Sequence, residues 1–141
     1  MNSGRQSFPR PLPVLEMDNR AFWTGGERGE LLIAECSSCR YLVHPPTSFC
    51  PVCEGREIVP RAVSGRGTIV SMTVNHRAWY PELPVPYLVA IIALEEQADV
   101  QLVTNIVDCD PLRPRIGDRV EVTFEQCEDV WVPLFRLAEA G

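Results

Sequence analysis

Hydrophobic residues alternate with polar ones, or form short continuous runs, along most of the chain after residue 30. Alternation with a period of two is typical of a strand with one buried face, and a short run rich in β-branched residues is typical of a fully buried strand. Turn signals such as IGD and CED separate several of these segments. The pattern predicts strands at 31–35, 57–63, 68–77, 87–95, 100–108, 119–126 and 130–137.

The last five predicted strands favour a small closed sheet. Five short strands in this length suit a partly open Greek-key barrel of the OB type, because closure removes exposed edges. A small sandwich is the alternative. We therefore predict a mainly β chain with an OB-fold at 64–141, preceded by a cysteine-rich unit at 30–63. The segment 65–68, GRGT, precedes a strand rather than a helix, so we predict a bend into the barrel there and not a phosphate-binding loop.

The N-terminal part has a different pattern. Residues 1–14 contain three prolines, which fix φ and lack an N–H, so this segment is predicted to be a flexible or extended arm. The unit 15–29 is predicted to contain a short helix at 15–24, with Asp18 as a plausible N-cap and Gly25-Gly26 ending it. This helix carries Phe22 and Trp23, which must be buried either on the chain's own core or in a partner.

Composition excludes several classes of protein. The chain has 141 residues, of which 45% are hydrophobic and 23% charged, as in a folded globular protein. Its longest unbroken apolar run, 87–94, is too short to span a bilayer, and the first residues do not predict a secretion signal. We therefore expect a cytoplasmic protein. A net charge of −6 argues against a nucleic-acid-binding protein, which usually presents a basic face.

The strongest chemical signal is a pair of Cys-x-x-Cys motifs with ten residues between them, formed by Cys36, Cys39, Cys50 and Cys53. Each motif places two thiolates on one tight turn, and zinc prefers four such ligands in a tetrahedron. We predict one structural zinc ion, with iron as the less favoured alternative because tetrahedral sulfur suits both metals. Four thiolates leave no position for a substrate, so the metal is expected to replace a core that this short segment cannot build.

The remaining candidate residues favour binding over catalysis. His44 lies between the cysteine pairs and is interpreted as a surface histidine, since four cysteines already satisfy the metal. Cys109 and Cys127 are interpreted as buried small hydrophobes or exposed bystanders. His76 and Arg77 end the first predicted barrel strand, with an aromatic pair just beyond, and arginine there suits a phosphate or carboxylate. We interpret this cluster as a binding surface at the mouth of the barrel.

The order of these motifs resembles the DUF35 family of acyl-CoA-associated zinc-ribbon/OB-fold proteins. The resemblance rests on the aromatic helix, the doubled knuckle CSSC…CPVC, and then SGRGTIVSMTVNHR, PYLVAIIALEE, VQLVTNIV, IGDRVEVTFE and PLFRL. It covers residues 18–137. Some members of this family have lost the cysteines, whereas all four are present here. Arg40 stands where a glycine often follows the first knuckle, which raises the question of that turn's geometry.

The resemblance implies an accessory subunit rather than a free-standing enzyme. Such subunits pair with thiolase-superfamily proteins, including lipid-transfer-protein-like thiolases and aldolases. The resulting heteromeric complex acts on acyl-CoA. A complex with two copies of each chain is one arrangement that the resemblance implies here. The catalytic residues would then lie in the partner, and acyl-CoA at or near the interface. The implied partner contacts are Phe22, Trp23, His76, Arg77 and Tyr80. Arg66 and Arg77 are the implied contacts to coenzyme A.

Two other classes of function remain open at this stage. An OB barrel beside a zinc ribbon is also a nucleic-acid-binding architecture, which would show salt-dependent binding to single strands. A stand-alone acyl-CoA thioesterase or lyase would turn over acyl-CoA without a partner. Steroid side chains are among the acyl groups compatible with the resemblance.

Overall fold

The computed structural model describes residues 11–79 and 84–138, and it is mainly β as predicted. One short helix, α1, spans Arg20–Thr24 and continues into a single 3-10 turn at Gly25–Arg28. The strands are β1 Leu31–Cys36, β2 Leu42–Val43, β3 Ile58–Val63, β4 Arg66–Asn75, β5 Tyr87–Leu94, β6 Gln97–Asn105, β7 Arg119–Cys127 and β8 Val130–Leu137. No helix in the described ranges is long and apolar enough to cross a membrane.

The first three strands form a small antiparallel sheet in the order β2-β1-β3, which we call the ribbon sheet. Its central strand, β1, buries alternate residues, as its sequence pattern predicts. The strand β2 is only two residues long and pairs with the end of β1. The ribbon sheet therefore carries the cysteine turns at one end and an apolar face along its length.

The other five strands form an antiparallel sheet in the order β6-β5-β4-β7-β8, which curls on itself as a half-barrel. Its two outer strands approach each other, and a parallel bridge joins Ile106, just after β6, to Phe135 of β8. The N–H of Val107 donates to the carbonyl of Phe135 at 2.8 Å. This partly closed five-stranded sheet confirms the predicted OB-fold and excludes the sandwich.

A glycine bend leads from the ribbon sheet into the barrel, as predicted. Gly65 has a φ of +79°, which favours glycine, and a Cβ there would lie 2.4 Å from Cγ1 of Val122. Two residues later, Gly67 of β4 passes so close to the carbonyl oxygen of Ala93 that a Cβ would lie 2.5 Å from it. The chain therefore enters the barrel through positions where a side chain would clash.

The ribbon sheet and the barrel share one hydrophobic core. Leu31, Ile33 and Leu42 of the ribbon sheet are buried in the same cluster as the barrel residues Ile69 and Phe135. All five side chains are at most 2% exposed. The two sequence units are thus joined by packing as well as by the connecting chain.

Hydrogen bonds from one glutamine also join the ribbon sheet to the barrel. The side chain of Gln97 in β6 accepts from the N–H of Leu42 at 2.9 Å and donates to the carbonyl of Leu42 at 2.8 Å. Nearby, the hydroxyl of Tyr41 donates to a carboxylate oxygen of Asp99 at 2.7 Å. The amide of Gln97 therefore pairs with the backbone of β2 as a neighbouring strand would.

Replacing Gln97 with alanine is expected to loosen this junction. The variant loses two partly buried hydrogen bonds, which together contribute about 1–3 kcal/mol to the free energy of unfolding. Amide hydrogen exchange at Leu42 should accelerate, and the denaturation midpoint should fall. Gln101→Ala, at an exposed position of the same strand, is the matched control. Unchanged exchange at Leu42 would contradict this role.

Two expectations for the N-terminal part and the strand ends need correction. Asp18 is not the N-cap, because the helix starts at Arg20 and Asn19 precedes it, without a side-chain capping bond. Gly25-Gly26 ends the α-helix as predicted, since α1 ends at Thr24 with Gly25 as its C-cap, and a 3-10 turn then continues to Arg28 before Gly29, where φ is +72°. The strand β4 ends at Asn75, two residues earlier than predicted. Of the arm at 1–14, only residues 11–14 lie within the described part of the chain.

Candidate metal centre and the surfaces around it

Two similar backbone turns present the four cysteines. Cys36 is the last residue of β1, and its carbonyl accepts a hydrogen bond of 2.8 Å from the N–H of Arg40. In the second turn, the carbonyl of Cys50 accepts a 2.9 Å bond from the N–H of Glu54. Arg40 and Glu54 have φ values of +69° and +65°. Arg40 therefore adopts the left-handed conformation that a glycine favours, and the first turn keeps the geometry of the second.

The four sulfur atoms converge on one point. The Sγ atoms of Cys36 and Cys53 are 3.6 Å apart, as are those of Cys39 and Cys50, and all four lie within 4.8 Å of one another. These separations are far longer than a disulfide bond of about 2.05 Å. A tetrahedral ion with metal–sulfur bonds of about 2.3 Å spaces its ligands about 3.8 Å apart. The cluster therefore fits a four-thiolate metal site.

The chemistry of the thiols also fits a cation. The backbone N–H groups of Cys39 and Ser38 lower the pKa of Cys36 to about 7. The N–H of Tyr41 lowers the pKa of Cys39, but burial and the neighbouring thiols outweigh it and raise that pKa to about 12. Without metal, the mutual repulsion of neighbouring thiolates opposes ionisation of all four cysteines. A divalent cation supplies the positive charge that allows all four thiolates to form.

A buried carboxylate supports the first turn. Glu35 is 5% exposed, and its two oxygens accept from Arg61 at 2.9 Å and from Arg40 at 3.5 Å. These contacts connect β1, β3 and the turn after Cys39. A buried charge that is paired in this way avoids the cost of an isolated one, so Arg40 has a structural role in place of the missing glycine.

The sequence predicts a surface histidine at position 44, but the structure shows that His44 is only partly exposed. Its ring stacks on Phe22, with ring centroids 5.0 Å apart and planes tilted by 38°. Burial lowers the pKa of His44 below its usual value. The imidazole therefore fills the space between α1 and the ribbon sheet and is absent from the four-sulfur cluster.

The structure places Phe22 and Trp23 against the chain's own core. Their rings meet edge to face with centroids 4.9 Å apart. Phe22 packs on the main core cluster, and Trp23 packs on a second cluster in β8. Both keep a partly exposed edge, which borders a groove of about 250 Å³ between α1 and the barrel. Val103, Asn105 and Pro133 are also in its wall.

The residues after β4 form an exposed cluster. The guanidinium of Arg77 lies 4.5 Å from the centroid of the Trp79 ring, in a cation–π contact. Trp79 is 61% exposed, and His76 is exposed beside it. Tyr80, also predicted here, lies outside the described residues. An exposed tryptophan held by an arginine is a typical feature of a binding surface.

The two arginines that the resemblance connects with coenzyme A lie at opposite ends of β4. Arg66 begins the strand, and Arg77 follows its end. The ten residues of the strand span roughly 30 Å. The guanidinium of Arg66 is paired with the carboxylate of Glu95 at 3.2 Å. Arg66 and Arg77 therefore do not hold the same phosphate group.

The other two cysteines are separate from the metal cluster. Cys109 is half-buried against the main core, and burial is the largest cause of its raised pKa. The thiol of Cys127 donates to a carboxylate oxygen of Glu125 at 3.7 Å, beside the second core cluster. Both behave as packed side chains rather than activated nucleophiles.

The barrel carries one further surface that the sequence reasoning missed. An open basin of about 1,180 Å³ lies where β4, β7 and β8 meet the loop after β6. Five arginines line it, and we call it the arginine basin: Arg66, Arg113, Arg115, Arg119 and Arg136. The segment PLRPR at 111–115 is a local signal for it, but the other arginines come from three strands that only the fold brings together.

The chain thus combines a zinc-ribbon-like unit with an OB barrel. Its four cysteines fill a tetrahedral site, so the class of protein is one with a structural metal and no open coordination position. Two family profiles match these two parts. The profile described as the rubredoxin-like zinc ribbon domain of ChsH2 matches residues 23–59, and that described as the C-terminal OB-fold domain of ChsH2 matches residues 60–125. These matches, together with 34% identity to a DUF35 domain-containing scaffold protein over 73% of each chain, show that the chain belongs to the DUF35 family.

Named relatives support this assignment. A DUF35 domain-containing scaffold protein of Methanocaldococcus jannaschii is 34% identical over 105 residues, which are 73% of each protein. A probable enoyl-CoA hydratase alpha subunit of Thermomonospora curvata is 32% identical over 130 residues. That match covers 92% of this chain but only 40% of the relative, so the chain spans about two-fifths of the length of that protein.

A solved structure shows the same architecture. One chain of the structure described as "Ltp2-ChsH2(DUF35) aldolase" superposes with a TM-score of 0.78 and 32% sequence identity. The match covers 89% of this chain and 98% of that chain. The ribbon, the barrel and their relative placement therefore form one shared unit.

Proposed function

We propose that this chain is a non-catalytic accessory subunit that binds a thiolase-like enzyme and supports the cleavage or formation of a carbon–carbon bond on an acyl-CoA thioester. The observation that carries this proposal is the match to 98% of a chain from an aldolase complex. A relative described as a probable enoyl-CoA hydratase alpha subunit also supports a role as a subunit of an enzyme that acts on acyl-CoA. The expected assembly is a heteromer, with two copies of each chain as one arrangement.

The chemistry of the described residues supports a non-catalytic role. The four thiolates fill a tetrahedral coordination sphere, so no substrate or water can bind the metal. We propose that the metal is zinc, at one ion per chain, with Cys36, Cys39, Cys50 and Cys53 as its ligands. The ring of His44 is packed against Phe22 and lies outside the four-sulfur cluster, although it borders clefts on either side. The catalytic groups would then come from the partner, and the reduced thiols suit a cytoplasmic setting.

The exposed aromatic surfaces are the proposed partner contacts. Phe22 and Trp23 border the groove beside β6, and Asn105 lies in the same wall. The side chain of Asn105 donates to the carbonyl of Leu88 at 3.1 Å, close to where the loop that carries Trp79 rejoins the barrel. The groove and the end of β4 both adjoin the start of β5, and the proposed interface includes the groove together with His76, Arg77 and Trp79 after β4.

Purification from the native host tests the proposal directly. The tagged chain should recover a thiolase-superfamily protein, identified by mass spectrometry. The chain alone should not turn over acyl-CoA, and activity should appear when the partner is added. Recovery of the monomer alone would contradict the accessory role, and turnover by the isolated chain would favour a stand-alone thioesterase or lyase.

Replacing Trp79 with alanine is expected to weaken the complex about 30-fold. A central interface tryptophan typically contributes about 2 kcal/mol or more to the binding free energy. The dissociation constant for the purified partner should rise while the denaturation midpoint stays unchanged, because Trp79 is largely exposed. Leu112→Ala, at a position that is 70% exposed on a different loop, is the control. If Trp79→Ala and Leu112→Ala bind the partner equally tightly, Trp79 does not belong to the interface.

A further inference from the structure

The four cysteines of the metal cluster differ in their exposure to solvent. The first cysteine of each turn, Cys36 or Cys50, is fully buried. The second cysteine of each turn, Cys39 or Cys53, is exposed. A thiolate is the nucleophilic form of cysteine, and it reacts with a small oxidant that can reach it. Each turn therefore combines one cysteine that such an oxidant can reach with one that it cannot.

The exposed sulfur of each turn lies beside the buried sulfur of the other turn. Sγ of Cys53 is 3.6 Å from Sγ of Cys36, and Sγ of Cys39 is 3.6 Å from Sγ of Cys50. A disulfide bond is about 2.05 Å long, so the sulfur atoms of each pair need to approach by about 1.5 Å. Both pairs connect the two turns instead of closing one turn on itself.

The backbone around the cluster supports this cross-turn arrangement. A Cβ on Gly55 would lie 3.2 Å from Sγ of Cys36 and 3.3 Å from Sγ of Cys53, so the Gly55 backbone packs against both members of one pair. In the other pair, the N–H of Val52 donates to Sγ of Cys50 at 3.3 Å. The two buried sulfur atoms are thus fixed in positions that face the opposite turn.

We propose that the four-cysteine cluster is a site of reversible oxidation by hydroperoxides, which converts it into two cross-turn disulfides, Cys39–Cys50 and Cys36–Cys53. The thiolate of Cys39 or Cys53 attacks the O–O bond and becomes a sulfenic acid, while hydroxide leaves. The buried thiolate of the opposite turn then attacks the sulfenic sulfur and displaces a second hydroxide. Solvent protons convert both hydroxides to water, so each disulfide consumes one peroxide.

Oxidation in this form exchanges a metal for covalent cross-links. Metal binding requires thiolates, so the oxidised donor set no longer holds a divalent cation. The two disulfides join positions that are 11 and 17 residues apart, and cross-links of this kind restrict the unfolded chain. The ribbon sheet therefore stays closed without its metal. Thiol–disulfide exchange with a dithiol reverses the reaction, and no partner subunit is required.

Peroxide titration of the full chain, loaded with zinc, tests this reaction. Zinc release is followed with a chromogenic chelator, and free thiols are counted with a thiol reagent. All of the bound zinc should be released as four of the six free thiols disappear, and dithiothreitol with added zinc should restore both. Retention of zinc after the thiols are lost, or thiols that dithiothreitol cannot recover, would overturn the proposal.

Tryptic mapping determines the pairing, because Arg40 separates the two motifs. Trypsin produces peptide 29–40, with Cys36 and Cys39, and peptide 41–56, with Cys50 and Cys53. Cross-turn disulfides join the two peptides, and tandem mass spectrometry should assign the proposed partners. Separate peptides with internal disulfides, or the opposite cross-turn pairing, would overturn the proposal.

A 1,3-dione, which traps sulfenic acid, identifies the cysteines that react first. At low peroxide it should label Cys39 and Cys53. First labelling of Cys36 or Cys50 would contradict the proposed order of attack.

The double variant Cys109→Ala/Cys127→Ala is the matched control, because it removes the two partly buried cysteines outside the cluster. It should release zinc at the same peroxide concentration as the wild type. A loss of zinc release in this variant would assign the reaction to the other two thiols and overturn the proposal.

Hydrogen exchange separates oxidation from simple loss of metal. The amides of β1 should exchange more slowly in the oxidised chain than in the reduced chain after chelation, and equal exchange would contradict closure by the disulfides. Metal content is measured before oxidation, so a chain that binds no zinc would refute the proposed metal site. Peptide mapping of that chain would still decide the pairing, and recovery of a partner is tested separately.

Discussion

Replacing Cys36 with serine is expected to remove the metal and unfold the ribbon sheet. The thiol of Cys36 is fully buried, and it ends the central strand of that sheet. Structural zinc sites contribute about 10–16 kcal/mol of apparent binding free energy, which is also folding free energy. Metal content, measured by mass spectrometry, should fall from about one zinc ion per chain to near zero. Partner binding should be lost with it.

The control for this experiment is Cys109→Ala. Cys109 lies outside the four-sulfur cluster, so its replacement should leave the metal content and the partner complex intact. Chelation of the wild-type protein should have the same effect as Cys36→Ser. If the metal is removed while the denaturation midpoint and the complex remain unchanged, the structural role of the site is wrong.

Replacing Phe135 with alanine is expected to open the barrel. Phe135 is fully buried in the main core, and its backbone forms the parallel bridge that brings β8 towards the end of β6. Truncation of a buried phenylalanine costs about 3–5 kcal/mol, which is a large part of the stability of a small protein. Chemical denaturation should show a correspondingly lower midpoint.

Val70→Ala is the matched control for the Phe135 variant. Val70 is 40% exposed and lies at the irregular register between Ile69 and Ser71 of β4, so its truncation should change the free energy of unfolding by about 0.5 kcal/mol or less. A Phe135→Ala protein with a wild-type midpoint would show that closure does not depend on this side chain.

The sequence predicted the parts of the fold that repeat a simple pattern. The unbroken apolar run at 87–94 predicted β5 to within one residue, and the structure buries every second residue of that strand. The Cys-x-x-Cys spacing likewise predicted the four-sulfur cluster, because the turn geometry is set locally by the two residues between the thiols. Both signals lie within a few neighbouring positions.

The features that sequence reasoning missed depend on residues far apart in the chain. β2 is only two residues long and forms because β1 offers an edge for pairing. His44 is packed because α1 places Phe22 above it. The arginine basin joins Arg66 to Arg136 through cross-strand neighbours in β4, β7 and β8. No short window of sequence contains any of these arrangements.

The shared core of the ribbon sheet and the barrel makes metal binding and barrel folding linked equilibria. Leu31, Ile33 and Leu42 complete a cluster that also contains Ile69 and Phe135, so an unfolded ribbon sheet would leave barrel side chains exposed to water. A ligand that binds only the folded state stabilises it in proportion to the logarithm of its free concentration. The supply of free metal in the cell would thereby set how much of this chain is folded and available for assembly.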